Sequence, residues 1–182
     1  MGFQIMDFSD EFGLNDLNDF LIRAKRNGYA SGIPAGQDIY GVKHHVYREK
    51  LPSGRQVEYF DSYVTGNRQG FVGFEQVCLE IGDKSITSIW GMAYHGRIII
   101  PVNKEREDKI NSFLRQCLMQ VPSGFPVRGP IGKPVTEGNL RYDNFSDESD
   151  IRKFSGVETI TLIQEDGDKK IVHEVNYSGG IV

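Results

Sequence analysis

Phe71–Ile86, FVGFEQVCLEIGDKSI, has a near-twin in Phe154–Ile171, FSGVETITLIQEDGDKKI, and this pair of stretches decides the fold class. Alternation along the first sets Phe71, Gly73, Glu75, Val77 and Leu79 on one face of a strand. The second sets Phe154, Gly156, Glu158, Ile160 and Leu162 on the matching face. Both copies therefore insert a glutamate into an otherwise apolar row. Shifting the chain by 83 residues (154 − 71 = 83) also pairs Tyr59 with Tyr142, Leu79 with Leu162, Tyr94 with Tyr177, Gly96 with Gly179 and Ile98 with Ile181. With Phe71, Gly73 and Glu75 that makes eight identities, where average composition gives roughly two or three.

Moving outward, NDLNDFLIRAKRNG places Leu14, Leu17, Phe20, Leu21 and Ala24 at helical spacing, with Asn15 as the expected cap and Gly28 as the stop. Arg23, Lys25 and Arg26 crowd its last turn, where the helix dipole favours cations. A second helix is expected to open at Asn103, with Glu105, Glu107 and Asp108 in its first turn. Ile110, Phe113, Leu114, Cys117, Leu118 and Val121 would form one face before Pro122 ends it. LNDFL at Leu17 matches INSFL at Ile110, so helix and strands recur in the same order. Between and after the helices lie seven short runs rich in β-branched and aromatic residues, joined by turn signals such as LPSG, Gly82-Asp83-Lys84 and Asp166-Gly167-Asp168. The Pro/Gly-rich PSGFPVRGPIGKPVTEG reads as a loop that replaces, in the second half, the extra strand near Tyr40–Glu49 of the first.

These patterns predict a single α+β domain over residues 1–182. It would be built of duplicated αβββ-like halves, about residues 17–99 and 110–182, forming a curved antiparallel sheet with two main helices on one face. The other, concave face is expected to be open to a ligand.

Lys plus Arg come to 21 against 25 Asp plus Glu, and no five-residue basic cluster appears. The electrostatic footprint of direct nucleic-acid binding is missing. The opening MGFQIMDFSD lacks the pattern of a secretory leader, and no apolar run approaches a spanning helix, so a cytoplasmic protein away from membranes is expected. Cys78 and Cys117 are too few and too far apart for a disulfide framework or a zinc site. His44 and His45 point to opposite faces of one strand, and His95 has no ligand partner at a suitable spacing, so no metal is expected. No cofactor motif occurs, and GPIGKP at Gly129 fails the phosphate-loop spacing.

The candidate site residues follow from the alternation. Glu75 and Glu158 point toward apolar surroundings, where a carboxylate must be paired, hydrogen-bonded or wetted. Each could cap local N–H groups, pair with a Lys or Arg, meet a ligand, or act as a general base. The same faces carry Trp90, Met92 and Tyr94 in one strand and His173, Val175 and Tyr177 in another. Trp90, Tyr94, His173 and Tyr177 would supply aromatic walls and polar tips, or would simply be core. Arg128, set among prolines and glycines in FPVRGP, could hold a carboxylate or phosphate or neutralise one of the glutamates.

WGMAYHG from Trp90, FPVRGP from Phe125, FSGVE from Phe154 and YSGGIV from Tyr177 resemble, in that order, an uncharacterised bacterial domain family. Its members occur alone or behind a helix-turn-helix of the xenobiotic-response-element type, and the likeness runs from the first helix to the C-terminus. Residues 1–13 are too few for such a DNA-reading segment. The resemblance implies no cofactor or catalytic residue. The expected function is small-molecule binding in a cleft lined from both halves, for sensing or sequestration. A hydrolase using Glu75 or Glu158 with Tyr94 or Tyr177 is one rival. The other is a protein-interaction module, partnering a second copy or a separately encoded regulator.

Overall fold

The computed structural model describes residues 7–66, 70–81, 85–148 and 150–182. The first six residues and the expected Gly82-Asp83-Lys84 turn lie outside the described residues. A short hairpin, β1 (Asp7–Ser9) with β2 (Phe12–Gly13), leads into helix α1 (Leu14–Asn27). The cap is Gly13 and not Asn15: the Gly13 N–H donates to Asp16 Oδ2 at 2.9 Å, which satisfies one of the donors a helix start leaves free. Asn103 caps α2 (Lys104–Met119) as expected, its Oδ1 accepting the Arg106 N–H at 3.0 Å.

The strands are β3 (Gly36–Gln37), β4 (Lys43–Lys50), β5 (Gln56–Thr65), β6 (Gly70–Ile81), β7 (Ser85–Ile98), β8 (Val135–Glu137), β9 (Leu140–Ser146), β10 (Lys153–Ile163) and β11 (Lys169–Ile181). They form one antiparallel sheet in the order β3-β4-β5-β6-β7-β11-β10-β9-β8. The chain is thus an α+β protein. Leu51–Arg55 and Gln164–Asp168 close tight hairpins, with Gly54 and Gly167 at φ +87°, a conformation only glycine adopts without strain. The Pro/Gly loop is shorter than the sequence pattern suggests, because its end forms β8 against β9. Edge strands of two and three residues leave little free ladder for another chain to join.

The centre of the sheet is the β7–β11 ladder. Tyr94 stands opposite Tyr177, and around that pair the partners exchange: Trp90 with Ile181 and Ile98 with His173, Met92 with Gly179 and Gly96 with Val175. Adding 83 to the β7 member of one pair gives the β11 member of the other. Both helices cover the same face. Leu17, Phe20, Leu21 and Ala24 of α1 pack on Val57, Val77, Leu79 and Trp90, while Ile110, Phe113, Leu114, Cys117 and Leu118 of α2 pack on Leu140, Tyr142, Ile160 and Val172. Each such Leu, Ile or Phe contributes about 1.5–3 kcal/mol by leaving water. The opposite face stays exposed, with Val72, Phe74 and Phe145 among its apolar residues.

Candidate functional site

The row that carries the two glutamates faces the helices, so both carboxylates are buried and both are paired. Lys25 of α1 donates to Glu75. Arg128, brought in by the loop after α2, clamps Glu158 with two nitrogens, Nε to Oε2 at 3.0 Å and Nη2 to Oε1. Its remaining nitrogen, Nη1, lies 3.9 Å from Glu75 Oε1, which links the two pairs. The Tyr142 hydroxyl donates to Glu158 Oε2 at 2.8 Å, while burial and then the charge of Glu75 push the Tyr59 phenol well up. Burial works to raise the Glu158 carboxyl, but Arg128 outweighs it and holds the group below its ordinary value. Burial pushes the Lys25 ammonium down, against the pull of Glu75. The ammonium also stands over Trp90, 5.6 Å from the ring centroid, and the Arg128 guanidinium stands 5.6 Å over Tyr94.

A third carboxyl completes the cluster. Asp61 on β5 pairs in register with Glu75 on β6 and accepts the Tyr94 hydroxyl at 2.6 Å. Burial, then the charge of Glu75, pushes Asp61 up to about 7. In the corresponding place of the other half, Asn144 accepts the Tyr177 hydroxyl at 2.8 Å. Each tyrosine ring lies over a glycine: a Cβ on Gly73 would come 2.3 Å from Tyr94 Cζ, and one on Gly156 would come 2.4 Å from Tyr177 Cζ. Any larger residue in either place would displace the phenol.

The aromatic contacts cross between halves. Phe71 stacks on His173, with centroids 5.8 Å apart, and Phe154 stacks on Trp90 at the same separation. Trp90 gives its N–H to the Ile151 carbonyl at 3.1 Å. His173, 1% exposed, has no partner on either ring nitrogen among the described residues, and burial drives it down to about 4, so the imidazole is neutral.

Between the first-half strands and α2 lies a cavity of about 510 Å³. Its polar lining includes Lys25, Asp61, Glu75, Tyr94, Arg128 and His173, and its apolar lining includes Phe71, Tyr63, Ile98 and Leu114. The size suits a small organic molecule, and the lining is strongly polar, with Lys43, Lys104, Glu107, Asp108 and Arg115 adding to its charged groups.

A family model described as "Domain of unknown function (DUF5680)" matches residues 61–182. The chain belongs to that family. No curated protein matches the chain. Among solved structures, an acyl-CoA hydrolase from Agrobacterium tumefaciens overlaps 91% of this chain and 84% of its own, at 10% identity and a TM-score of 0.27. That score is too low to carry an argument. The family segment begins at Asp61 and takes in Glu75, Arg128, Glu158 and His173; Lys25 comes from the helix ahead of it.

Of the residues expected from the sequence, Glu75, Tyr94, Arg128 and His173 meet around the cavity. Glu158 lies behind Arg128, and Trp90 and Tyr177 are packed in the core without reaching the cavity lining. This cavity opens on the helix side of the sheet; the opposite face, where a cleft was expected, carries a second and more open one of about 390 Å³, lined by Val72, His95, Phe145, Asn176 and Ser178 among others. Asp61 and Lys25 are absent from the expected set. Both carried a signal: Asp61 shares alternation with Tyr59, and Lys25 falls four residues after Leu21 on the apolar stripe of α1. Among the described residues no cluster of metal-ligating side chains occurs, and no helix is long and apolar enough to cross a membrane.

Proposed function

We propose that the protein binds a small organic molecule in the cavity between α2 and the sheet, for sensing or sequestration. The observation that carries this reading is His173. Its two nitrogens are buried and unpartnered at the wall of a cavity, and an unmet polar group costs about 1–3 kcal/mol. A ligand that supplies a donor or an acceptor there recovers that cost. We read the chain as a single domain with two duplicated halves, about 17–99 and 110–182, and the exchange of partners across β7 and β11 supports this. The site is then a break in an otherwise matched arrangement.

The hydrolase alternative draws less support. Glu158 is clamped and held low, Glu75 is tied to Lys25, and burial raises Tyr94 and Tyr177, the latter to about 12, which makes both weak acids. The interaction-module alternative is supported by Val72, Phe74 and Phe145, exposed on the uncovered sheet face. A regulator encoded separately, or a second copy, would be its partner.

The test is a thermal-shift screen against a metabolite and drug-like library, run on wild type, Asn111→Trp and Phe145→Ala. Asn111 lines the cavity from α2, and Phe145 lies on the opposite face. Ligands that raise Tm in wild type and Phe145→Ala but not in Asn111→Trp support the cavity. Hits indifferent to Asn111→Trp, or a flat screen, defeat it.

A further inference from the structure

The cavity lining carries five cations, Lys25, Lys43, Lys104, Arg115 and Arg128, against four carboxyls, Asp61, Glu75, Glu107 and Asp108. Three of the cations are committed. Lys25 pairs with Glu75, Arg128 is forked onto Glu158 behind the wall, and Lys104 meets Asp108 at 2.9 Å and Glu107 at 3.8 Å. The remaining carboxyl, Asp61, is buried at the inner end and takes the Tyr94 hydroxyl. Lys43 and Arg115, both half-buried at the mouth, have no carboxylate partner among the described residues. Each rests on a tyrosine instead: the Lys43 ammonium stands 5.8 Å from the Tyr63 centroid, and the Arg115 guanidinium 5.8 Å from that of Tyr29. The two rings meet edge to face at 6.1 Å, so the two uncommitted cations flank one aromatic pair. On α2, Arg115 lies about two turns beyond Glu107 and Asp108, which sets it about 10–12 Å along the axis from that acidic pair.

We propose that the cavity takes an organic anion, a carboxylate on a flat apolar body. Its head would meet Lys43 and Arg115 at the mouth. Its body would pass Tyr29 and Tyr63 and lie over Phe71 toward His173, which is buried and has no partner among the described residues. This rests on the cavity-binding reading above and names its ligand class. The head belongs at the mouth because Lys25 and Arg128, the cations of the inner end, already serve glutamates. A guanidinium offers a carboxylate parallel N–H donors and an ammonium adds a point charge, so the pair suits one planar anionic head. A cationic head would meet two uncompensated cations there, and a neutral head would leave both without a counter-charge.

The half-buried setting gives a second handle. Between about 0.1 M and about 1 M salt the screening length shrinks from about 10 Å to about 3 Å. An advantage of the anion that comes from these two charges narrows over that range, whereas the affinity owed to the apolar body does not fall.

The experiment uses three probes of one shape, 2-naphthoate, 2-naphthamide and 2-naphthamidine, titrated calorimetrically at both salt concentrations. The proteins are wild type, Lys43→Gln, Arg115→Gln, the double variant and Lys104→Gln. Glutamine keeps part of each stem over its ring, and Lys104 stands at the same mouth but is already paired. The expected result is tightest binding of the naphthoate, weakened about tenfold by Lys43→Gln and by Arg115→Gln, and less than about twofold by Lys104→Gln. The double variant should lose the preference over the amide, and salt should narrow it in wild type. The proposal is overturned if the amide or the amidine binds wild type as well as the naphthoate, if the double variant keeps the preference, or if salt widens it. It is also overturned if Lys104→Gln weakens the naphthoate as much as Arg115→Gln does, or if none of the three binds. Cavity binding as such is judged by the Asn111→Trp screen, so either reading can fail while the other stands.

Discussion

Where the first half of the sheet sets Asp61 against Tyr94, the second sets Asn144 against Tyr177; where the second half presents an unpartnered imidazole, the first turns an indole N–H onto a backbone carbonyl. The scaffolds are otherwise alike, down to the glycine under each phenol. The differences run one way. Asn144 is satisfied on both ends, accepting from Tyr177 and donating to the Gly129 carbonyl at 2.9 Å. Trp90 is satisfied, and Glu158 has a two-point clamp. Of the groups compared, Asp61, with one hydrogen bond from Tyr94, and the unpartnered His173 border the cavity, while the unpartnered His45 Nε2 and Ser9 Oγ lie away from it. Polar groups left unmet in otherwise consistent structure mark function more often than error.

The largest effect expected from this contrast concerns the two glutamates. Glu158→Gln leaves Arg128 buried without its fork partner, and breaking one member of a buried pair costs about 3–5 kcal/mol. Glu75→Gln strands Lys25 instead, whose ammonium is already pushed down by burial and can shed its proton. It should cost less than half as much. Urea denaturation of both variants at pH 7 checks this. Equal costs would mean that the two pairs are equivalent and that the first half is no more open than the second.

The next effect separates Asp61 from His173 by the sign of their pH dependence. Asp61 rises from an ordinary 3.8 to about 7 on folding, so its contribution is present at low pH and is lost as pH climbs between those values. His173 falls from 6.5 to about 4, so its contribution is present above 6.5 and is lost as pH drops toward 4. Relative to wild type, Asp61→Asn should therefore gain stability as pH rises from 4 to 7. His173→Gln should gain as pH falls from 6.5 to 4. Each unit of displacement is worth about 1.4 kcal/mol before relaxation and water entry reduce it. Tm measured from pH 4 to pH 8 checks both slopes; parallel slopes would show that one of the two groups is not buried as described.

How far the sequence could lead is clear from the same residues. The inward rows that carry the glutamates, the buried faces of both helices and the hairpins follow from period and turn chemistry, because burial enforces alternation and glycine suits the tight turns. Arg128 could be seen to have two uses, and it has the neutralising one. The cavity was not legible. It depends on how far α2 stands from the sheet, which is set by packing among residues distant in sequence. Lys25 was hidden for a different reason: three cations in a last helical turn suit the dipole, and only its place on the apolar stripe shows that this one turns inward. Asp61 looked like an ordinary strand residue until its register opposite Glu75 was fixed.

The smallest effect tests whether the second half can be given the first half's chemistry. Asn144→Asp keeps the acceptor for Tyr177 but replaces an N–H donor to the Gly129 carbonyl with an oxygen. At 1% exposure the new carboxyl, unlike that of Asp61, does not line the cavity between α2 and the sheet. While protonated, it can still donate to Gly129, and the change costs little. Once ionised, it sets two acceptors face to face, and the cost reaches about 1–3 kcal/mol. The variant should therefore approach wild type near pH 4 and fall behind it progressively above that, opposite in sign to Asp61→Asn over the same range. Denaturation of both variants across pH 4–8 reads this directly. If Asn144→Asp matched wild type at pH 8, the second half would be as tolerant of a charge as the first, and the choice of asparagine there would owe nothing to its place outside that cavity.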